Sequence, residues 1–315
     1  MSCVVWITGA HGFIGRHTAQ AIAQQGAKIL GIGHGHWPSI EAERWGVSHW
    51  INGEISSSNM HALCALAGRP DIVIHLAGGS SVGAAIAHPR EDFFRTVGST
   101  IELLEWLRNE SPETLVVAVS SAAVYGAGHE GLISEVANLR PYSPYGQHKL
   151  MMESLCQSYA AYYGLRSVVA RLFSVYGVGL QKQLLWDICS RLESQPEKLE
   201  LAGTGEELRD WIDVTDVAKV LAALGGLASV SVPVFNVASG IGTPVREIAQ
   251  VLIDFWLSAG GDAPPLTFNG ISRAGDPFSL IADTSLLTDT GLKCVRPVRE
   301  GIATYVDWFI TRQRV

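Results

Sequence analysis

Tyr145 and Lys149 stand four positions apart in the segment SPYGQHK, and Ser121 precedes the tyrosine by 24 positions. On a helix, residues i and i+4 share one face, so the phenol and the ammonium become neighbours. A free tyrosine has a pKa of about 10, and a nearby ammonium favours the phenolate and lowers that pKa. The serine hydroxyl can hold the oxygen of a reacting alcohol or ketone. These three residues therefore predict a general acid/base that works beside a hydride carrier.

A glycine-rich turn near the N-terminus indicates where that carrier binds. The segment TGAHGFIG places Gly9, Gly12 and Gly15 between an apolar strand and a helix. The first glycine permits a tight turn, the second lets a pyrophosphate approach the backbone, and the third lets the helix pack closely on the sheet. Free N–H groups at the start of the helix then face the anion. The turn predicts a dinucleotide site to which Phe13 and Ile14 also belong.

The elements that must position these residues follow from the hydrophobic pattern. Short apolar runs alternate with amphipathic stretches, which is typical of a parallel sheet with helices on both faces. In such a sheet ligands bind at the carboxyl ends of the strands, so Ser121 should face the cofactor crevice. We predict an α/β fold with a doubly wound parallel (Rossmann) sheet. Its strands are predicted at 3–8, 28–33, 49–52, 71–78, 115–121 and 166–173, with helices at 12–26, 90–109 and 143–163.

The alternation loosens after residue 174. Helices are predicted at about 181–194, 244–257 and 298–311, and VFNVAS at 234–239 is interpreted as a strand that returns to the core. We predict residues 1–173 as the dinucleotide-binding domain, rejoined by about 213–240. Residues 174–315 are predicted to form mainly a smaller, partly interleaved substrate-binding domain.

Composition narrows the class of protein. The 315 residues are 47% hydrophobic and 17% charged, which excludes disorder by composition. A net charge of −7 argues against a nucleic-acid partner. The five cysteines include no CxxC pair, and the histidines have no partner carboxylates at metal spacing, so we predict neither a disulfide framework nor a metal site. We see no signal peptide and no apolar run of about 18 residues, which predicts a cytoplasmic protein without a membrane partner.

The chain resembles the extended short-chain dehydrogenase/reductases that act on nucleotide sugars. In that family the serine, tyrosine and lysine act as described above, which implies Ser121, Tyr145 and Lys149 as catalytic residues here. The family dimerises through the helices predicted at 90–109 and 143–163, which implies a homodimer. The resemblance covers nearly the whole chain and rests on TGAHGFIG, HLAGGSSV (75–82), SSAAVYG (120–126), SPYGQHK (143–149), ARLFSVYGVG (170–179), GEELRDWIDVTDVA (205–218), FNVASGIGT (235–243) and RAGDP (273–277).

The resemblance also implies binding residues for a nucleotide-sugar substrate and for the cofactor. Arg209 and Arg273 match the arginines that hold the substrate diphosphate, and paired guanidiniums suit phosphate oxygens. Ser174 and Thr96 stand where the family usually has asparagine. The further substrate contacts implied are Ser80, Ser81 and Ser174. The further cofactor contacts implied are Gly33, His34, Glu54, Ile55, Leu76, Ala77 and Gly78, together with Tyr145 and Lys149.

The residue after the catalytic serine limits the reaction. Dehydratases of this family place an acid there, and the dual 3,5-epimerase–reductases place a cysteine. Ala122 occupies the position in this chain. Two reactions therefore stay open, the reduction of a 4-keto sugar and 4-epimerisation.

The end of the second strand, KILGIG, bears on the cofactor. An acid 18 residues after Gly15 would bind the ribose 2′-hydroxyl of NAD and repel a 2′-phosphate, and Gly33 stands there instead. His34 and Arg16 could supply donors or charge. This pattern favours NADP(H), with NAD(H) possible.

The cofactor decides between the two reactions, because reductases consume NADPH whereas epimerases recycle a bound NAD. We therefore predict an NADP(H)-dependent reductase of a nucleotide-activated 4-keto-6-deoxy sugar in polysaccharide precursor synthesis. Among such reductases, the chain most resembles the GDP-4-keto-6-deoxymannose reductases. The alternative is an NAD-dependent UDP-sugar 4-epimerase. A third hypothesis is a dinucleotide-sensing regulator without turnover, although such proteins tend to lose the tyrosine.

Overall fold

Seven parallel strands form the central sheet of this computed structural model, which describes residues 3–195, 197–271 and 277–312. In chain order the strands are β1 Val4–Thr8, β2 Lys28–Gly33, β3 Val47–Asn52, β4 Ile72–His75, β5 Leu115–Ser121, β6 Arg166–Leu172 and β7 Val234–Val237. Across the sheet they lie in the order β3-β2-β1-β4-β5-β6-β7, with every neighbouring pair parallel. The chain thus starts in the middle and winds first to one edge and then to the other. The predicted doubly wound α/β (Rossmann) fold is confirmed.

The continuous apolar runs of the strands arise because the sheet is buried on both faces. Successive side chains of one strand point to opposite faces. In β1, Val5 and Ile7 pack into one hydrophobic cluster while Trp6 packs into the other. Apolar residues are therefore needed at every position, and the polar residues that serve a site are left to the strand ends.

Helices cover both faces of the sheet. The long helix that carries the predicted acid/base begins where the Ser143 side chain accepts the Gly146 N–H, and it ends at Gly164 in a left-handed conformation with φ 73°. These two caps fix the register of Tyr145 and Lys149. The helices are α1 Phe13–Ala23, α2 Ser39–Arg44, α3 Ser57–Ala67, α4 Val82–Ala87, α5 Pro89–Phe93, α6 Ser99–Glu110, α7 Pro144–Tyr163, α8 Gln183–Glu193, α9 Val214–Leu224, α10 Val245–Ser258, α11 Ser285–Asp289 and α12 Val298–Thr311.

The helix predicted at 90–109 is confirmed in its extent, because the segment Pro89–Glu110 is helical throughout, but it is not a regular α-helix. Helix α5 passes into a π-helical turn at Phe94–Gly98 and then into α6. The wider turn contains the buried Thr96, whose Oγ1 accepts the N–H of Gly79 at 2.8 Å. The turn therefore ties the helix to the loop that follows β4. Hydrophobic spacing does not distinguish such a turn from a regular α-helix.

The second half of the chain forms a smaller lobe and also completes the central sheet. Strand β7 lies at the edge of the sheet beside β6, and α9 packs against α1. A separate hydrophobic cluster joins α8, α10 and α12. The short strands of this lobe form a five-stranded sheet (Leu132–Ile133, Ser174–Tyr176, Leu208–Asp213, Gly242–Pro244 and Ser279–Ala282) and a two-stranded sheet (Leu199–Leu201 and Leu266–Phe268).

Candidate active site

A cleft of about 1870 Å³ lies at the carboxyl ends of the central strands and reaches into the second lobe. Ser121 and Tyr145 lie beside the cleft and are not among its lining residues. Ser81 caps α4 by accepting the Ala84 N–H, and Arg273 lies outside the described residues. The predicted residues that line the cleft are Gly9, Gly12, Phe13, Ile14, Gly15, Gly33, His34, Glu54, Ile55, Leu76, Ala77, Gly78, Ser80, Lys149, Ser174 and Arg209.

At Gly9 and Gly15 the turn between β1 and α1 leaves no room for a side chain. Gly9 has φ +73°, and a Cβ there would lie 3.1 Å from the backbone nitrogen of Ala77. A Cβ at Gly15 would collide with the Gly9 carbonyl oxygen. Gly12 precedes helix α1 as its N-cap and provides no side-chain hydrogen bond. The open backbone and the helix N-terminus fit the pyrophosphate of a dinucleotide.

The predicted acid/base trio meets at the end of β5. The Tyr145 hydroxyl and the Ser121 side chain form a hydrogen bond. One turn further along α7, the Lys149 ammonium donates to the Val119 carbonyl at 2.8 Å. A Cβ on Gly78 would lie 3.3 Å from the Lys149 Nζ, so this lysine also contacts the loop after β4.

The direction of the Tyr145 pKa differs from the prediction. Burial raises this pKa, the hydrogen bond with Ser121 opposes the rise, and the negative charge of Asp92 adds to it. Burial lowers the pKa of Lys149 to about 8, against the charges of Asp92 and Glu153. The prediction that Lys149 depresses the tyrosine pKa was wrong for the protein alone, because burial disfavours both ionised forms.

A buried pair behind Lys149 was missed by the sequence reasoning. His148 Nδ1 lies 2.6 Å from Asp92 Oδ2, and the side chains are 11% and 6% exposed. A Cβ on Gly79 would collide with Asp92 Oδ1. The sequence signal for this pair was a histidine, His148, directly before Lys149. Its partner is 56 positions away, and no local pattern joins the two.

The second lobe contributes the far wall of the cleft. Arg209 Nη1 donates to the Leu208 carbonyl at 2.9 Å and to the Phe278 carbonyl at 3.4 Å. Lys182, which the sequence reasoning also missed, lines the cleft and donates to the Ser80 carbonyl at 3.3 Å. The two cations make this wall suitable for an anionic substrate.

Steric crowding explains why a glycine stands at the end of β2. Gly33 has φ +156°, and a Cβ there would lie 3.2 Å from Trp50 Cη2 and 3.3 Å from the Gly9 Cα. Arg16 donates its Nε to the His11 carbonyl at 2.8 Å and does not line the cleft. Close packing at a positive φ is therefore a reason for glycine at this position that does not depend on the cofactor.

Two further properties concern metals and membranes. Within the residues that the structure describes, no group of three or more His, Cys, Asp or Glu side chains is arranged to hold a metal ion. The helices in the same ranges are all too short or too polar to cross a lipid bilayer.

Comparison with known proteins gives a consistent set of relatives. Residues 5–238 match the model of the NAD dependent epimerase/dehydratase family. A UDP-glucose 4-epimerase of Azospirillum brasilense is 30% identical over 296 residues, which cover 88% of this chain and 83% of the relative. The structure of the Brucella ovis UDP-glucose 4-epimerase in complex with NAD has a TM-score of 0.84 and 29% identity, with 98% of each chain covered.

A third relative is the UDP-glucose 4-epimerase of Stenotrophomonas maltophila with bound NAD and formylated UDP-arabinopyranose. It has a TM-score of 0.86 and 26% identity, with 99% of each chain covered. These relatives are 4-epimerases of UDP-sugars. The predicted NADP(H)-dependent reductase of a 4-keto-6-deoxy sugar was therefore wrong. The prediction of a reductase depended on Gly33, and steric crowding explains the glycine at that position.

Proposed function

The chain belongs to the NAD dependent epimerase/dehydratase family, and within that family we propose that it is an NAD-dependent UDP-sugar 4-epimerase. The observation that carries the proposal is the hydrogen bond between Tyr145 and Ser121 beside Lys149, at the edge of the large cleft. The cleft extends from the glycine turn before α1 to Lys182 and Arg209 in the second lobe. It suits a dinucleotide and a nucleotide sugar together.

NAD is the cofactor that we propose, in agreement with the NAD bound in two of the relatives. When bound, it supplies a reversible hydride acceptor. Gly9, Gly12 and Gly15 would hold its pyrophosphate at the start of α1. Glu54 and Ile55, which line the same cleft, would contact the adenosine. The preference for NADP(H) has no support once Gly33 is explained by its packing.

The catalytic residues move one proton and hold one oxygen. In its phenolate form Tyr145 removes the proton of the sugar C4 hydroxyl as a general base, and it returns the proton at the end of the cycle as a general acid. Ser121 donates a hydrogen bond to the same oxygen. Lys149, with a pKa near 8, is mainly protonated at pH 7 and stabilises negative charge on the neighbouring oxygens.

Inversion at C4 requires more than proton transfer. The C4 hydrogen must leave from one face of the sugar and return to the other, and NAD, when bound, would supply the acceptor and donor for that hydride. The hexosyl group must therefore turn over as a 4-keto sugar while the nucleotide stays bound. We assign the retention of the nucleotide to the second lobe, with Arg209 on the diphosphate and Ser174 beside it.

We propose that the chain is divided into two binding domains. Residues 1–173, with about 213–240, are the dinucleotide-binding domain, and residues 174–315 mainly bind the nucleotide sugar.

We also propose a homodimer formed through α5 to α7, where Phe94 is 56% exposed and Tyr163 is 53% exposed. Sedimentation equilibrium of the purified protein tests the dimer.

The test of the function is interconversion of UDP-galactose and UDP-glucose by the purified protein with NAD. We expect UDP-glucose to form without net consumption of NAD(H), as measured by anion-exchange chromatography of the nucleotide sugars. Stoichiometric oxidation of NADPH by a 4-keto sugar, without interconversion, would contradict the proposal. NAD binding without any conversion of UDP-hexoses, UDP-pentoses or UDP-uronates would instead favour the regulator hypothesis.

A further inference from the structure

The buried pair of Asp92 and His148 has a position that suggests a part in the reaction. Asp92 lies on α5 and His148 lies on α7, directly before Lys149. Both side chains are about nine-tenths buried, and their atoms Oδ2 and Nδ1 are 2.6 Å apart. Burial of a carboxylate costs several kcal/mol unless a partner compensates for it. A pair retained at this cost next to the catalytic lysine calls for a reason.

The charged and titratable groups around Lys149 show why Asp92 differs from the others. Glu153, on α7, is bound by Arg171 at 2.7 and 3.0 Å, so its charge is compensated by a permanent cation. His75, on β4, is neutral at physiological pH because burial lowers its pKa to about 3. Tyr145 is neutral at rest. Among the described groups that face Lys149, Asp92 is thus the carboxylate whose charge is compensated only by a histidine.

Asp92 also contacts the loop that lines the cleft. Its Oδ1 packs so closely on Gly79 that a Cβ there would collide with it. The N–H of Gly79 is held by Thr96 Oγ1 at 2.8 Å, and Gly78 contacts the ammonium of Lys149. One carboxylate therefore touches the loop, and its charge acts on both Lys149 and Tyr145.

We propose that Asp92 and His148 are positioning residues for the acid/base chemistry, which hold Lys149 in its charged form and fix the loop of Gly78 and Gly79 against it. The proposal rests on the proposed 4-epimerase function and deepens it. His148 donates from Nδ1 to Asp92, which orients the carboxylate toward the loop and the lysine. The negative charge of Asp92 favours the protonated form of Lys149, which is the form that stabilises negative charge on the neighbouring oxygens.

Asp92→Asn tests the role of the charge, because asparagine keeps the size of the side chain and one acceptor oxygen. Loss of a nearby negative charge lowers the pKa of a lysine and of a tyrosine alike. We therefore expect both limbs of the pH profile of kcat to move to lower pH by about one unit, with a KM change of less than about threefold. His148→Phe should give the same shift, because Asp92 without its hydrogen-bond donor is no longer held toward Lys149. His148→Gln, which can still donate to Asp92, should restore the wild-type profile.

A matched control separates this role from a loss of stability. Asp216 is also buried and accepts the N–H groups of Val295 and Arg296, far along the chain from the acid/base trio. Asp216→Asn should lower the melting temperature without moving either limb of the profile. A uniform loss of kcat in Asp92→Asn, with both limbs of the pH profile unmoved, would overturn the proposal. Epimerase activity of the wild-type protein in the same assay would leave the proposed function intact.

A second measurement does not depend on activity. The stability gained between pH 7 and pH 10 should be larger in Asp92→Asn than in the wild type, because Lys149 without its neighbour loses its proton at lower pH in the folded state. The excess should vanish when Lys149→Met is introduced into both proteins. Equal gains in Asp92→Asn and wild type, by denaturant unfolding at both pH values, would show that Asp92 does not act on Lys149.

Discussion

The Tyr145 hydroxyl is expected to act in the chemical step and not in cofactor binding. Tyr145→Phe keeps the ring and removes the group that bonds Ser121. We expect kcat to fall by about 10²- to 10⁴-fold, the usual worth of a general acid/base, while NAD affinity and the melting temperature change little. Tyr162→Phe, at a side chain that is 80% exposed, is the matched control. Interconversion of UDP-sugars by Tyr145→Phe at the wild-type rate would remove Tyr145 from the mechanism.

Lys149 should show its burial in the pH dependence of stability. Its pKa is about 8 in the folded protein against 10.5 for an ordinary lysine. The stability linked to this group is therefore fully present above pH 10.5 and is lost as the pH falls through 8. Wild type should gain up to about 3 kcal/mol over Lys149→Met between pH 7 and pH 10.5. Denaturant unfolding measures the difference, and parallel curves for the two proteins would contradict the assigned burial effect.

Arg209 should act on binding rather than on the chemical step. A contact with the substrate diphosphate is present in the ground state and in the transition state alike, so its loss raises KM and leaves kcat nearly unchanged. For Arg209→Ala we expect a rise in KM for the UDP-sugar of at least about tenfold, with unchanged NAD affinity. Arg246→Ala, which removes a more exposed arginine that pairs with Glu206, serves as the control. Unchanged UDP binding by calorimetry would show that Arg209 is not the diphosphate contact.

At the scale of the elements, the join of β1, β2 and α1 depends on glycine. Both Gly33→Ala and Gly33→Asp place a Cβ 3.2–3.3 Å from Trp50 and Gly9 at a φ of +156°. We expect both variants to weaken NAD binding by a similar factor, because the cause is steric and not electrostatic. Fluorescence titration with NAD and with NADP checks this. If Gly33→Asp alone binds NAD more tightly than wild type, charge at this position matters more than space.

The elements could largely be predicted from the sequence because their signals are local. The last helix, predicted at 298–311, is observed at Val298–Thr311, and the apolar runs locate the strands of the central sheet. The pairing of Tyr145 with Lys149 is also local, since four positions on a helix suffice.

The features that escaped prediction depend on contacts between distant parts of the chain. The π-helical turn at Phe94–Gly98 reflects the loop after β4, and the pair of Asp92 and His148 joins two helices. The direction of the Tyr145 pKa depends on burial, which a sequence does not state. The roles of the predicted site residues stay predictions until the variants above are measured.

At the scale of the whole molecule, the dinucleotide-binding part does not consist of one continuous segment. Strand β7 covers the edge of β6, and α9 packs against α1, although both come from the second half of the chain. A fragment of residues 1–173 should therefore aggregate or unfold without a cooperative transition, whereas co-expression with residues 174–315 should restore soluble protein. Size-exclusion chromatography and thermal unfolding measure the outcome. A monomeric fragment that melts cooperatively would show that the first half suffices.

The late arrival of β7 has a consequence for synthesis on the ribosome. Strand β6 ends at Leu172 and its neighbour ends at Val237, so 65 residues separate the two. At about 5–20 residues per second, one edge of β6 stays without its neighbour for roughly 3–13 s. During that interval the open edge can pair with a strand of another chain. The yield of this protein in cells should thus depend on translation speed and on chaperones that bind nascent chains, even where the finished molecule is stable.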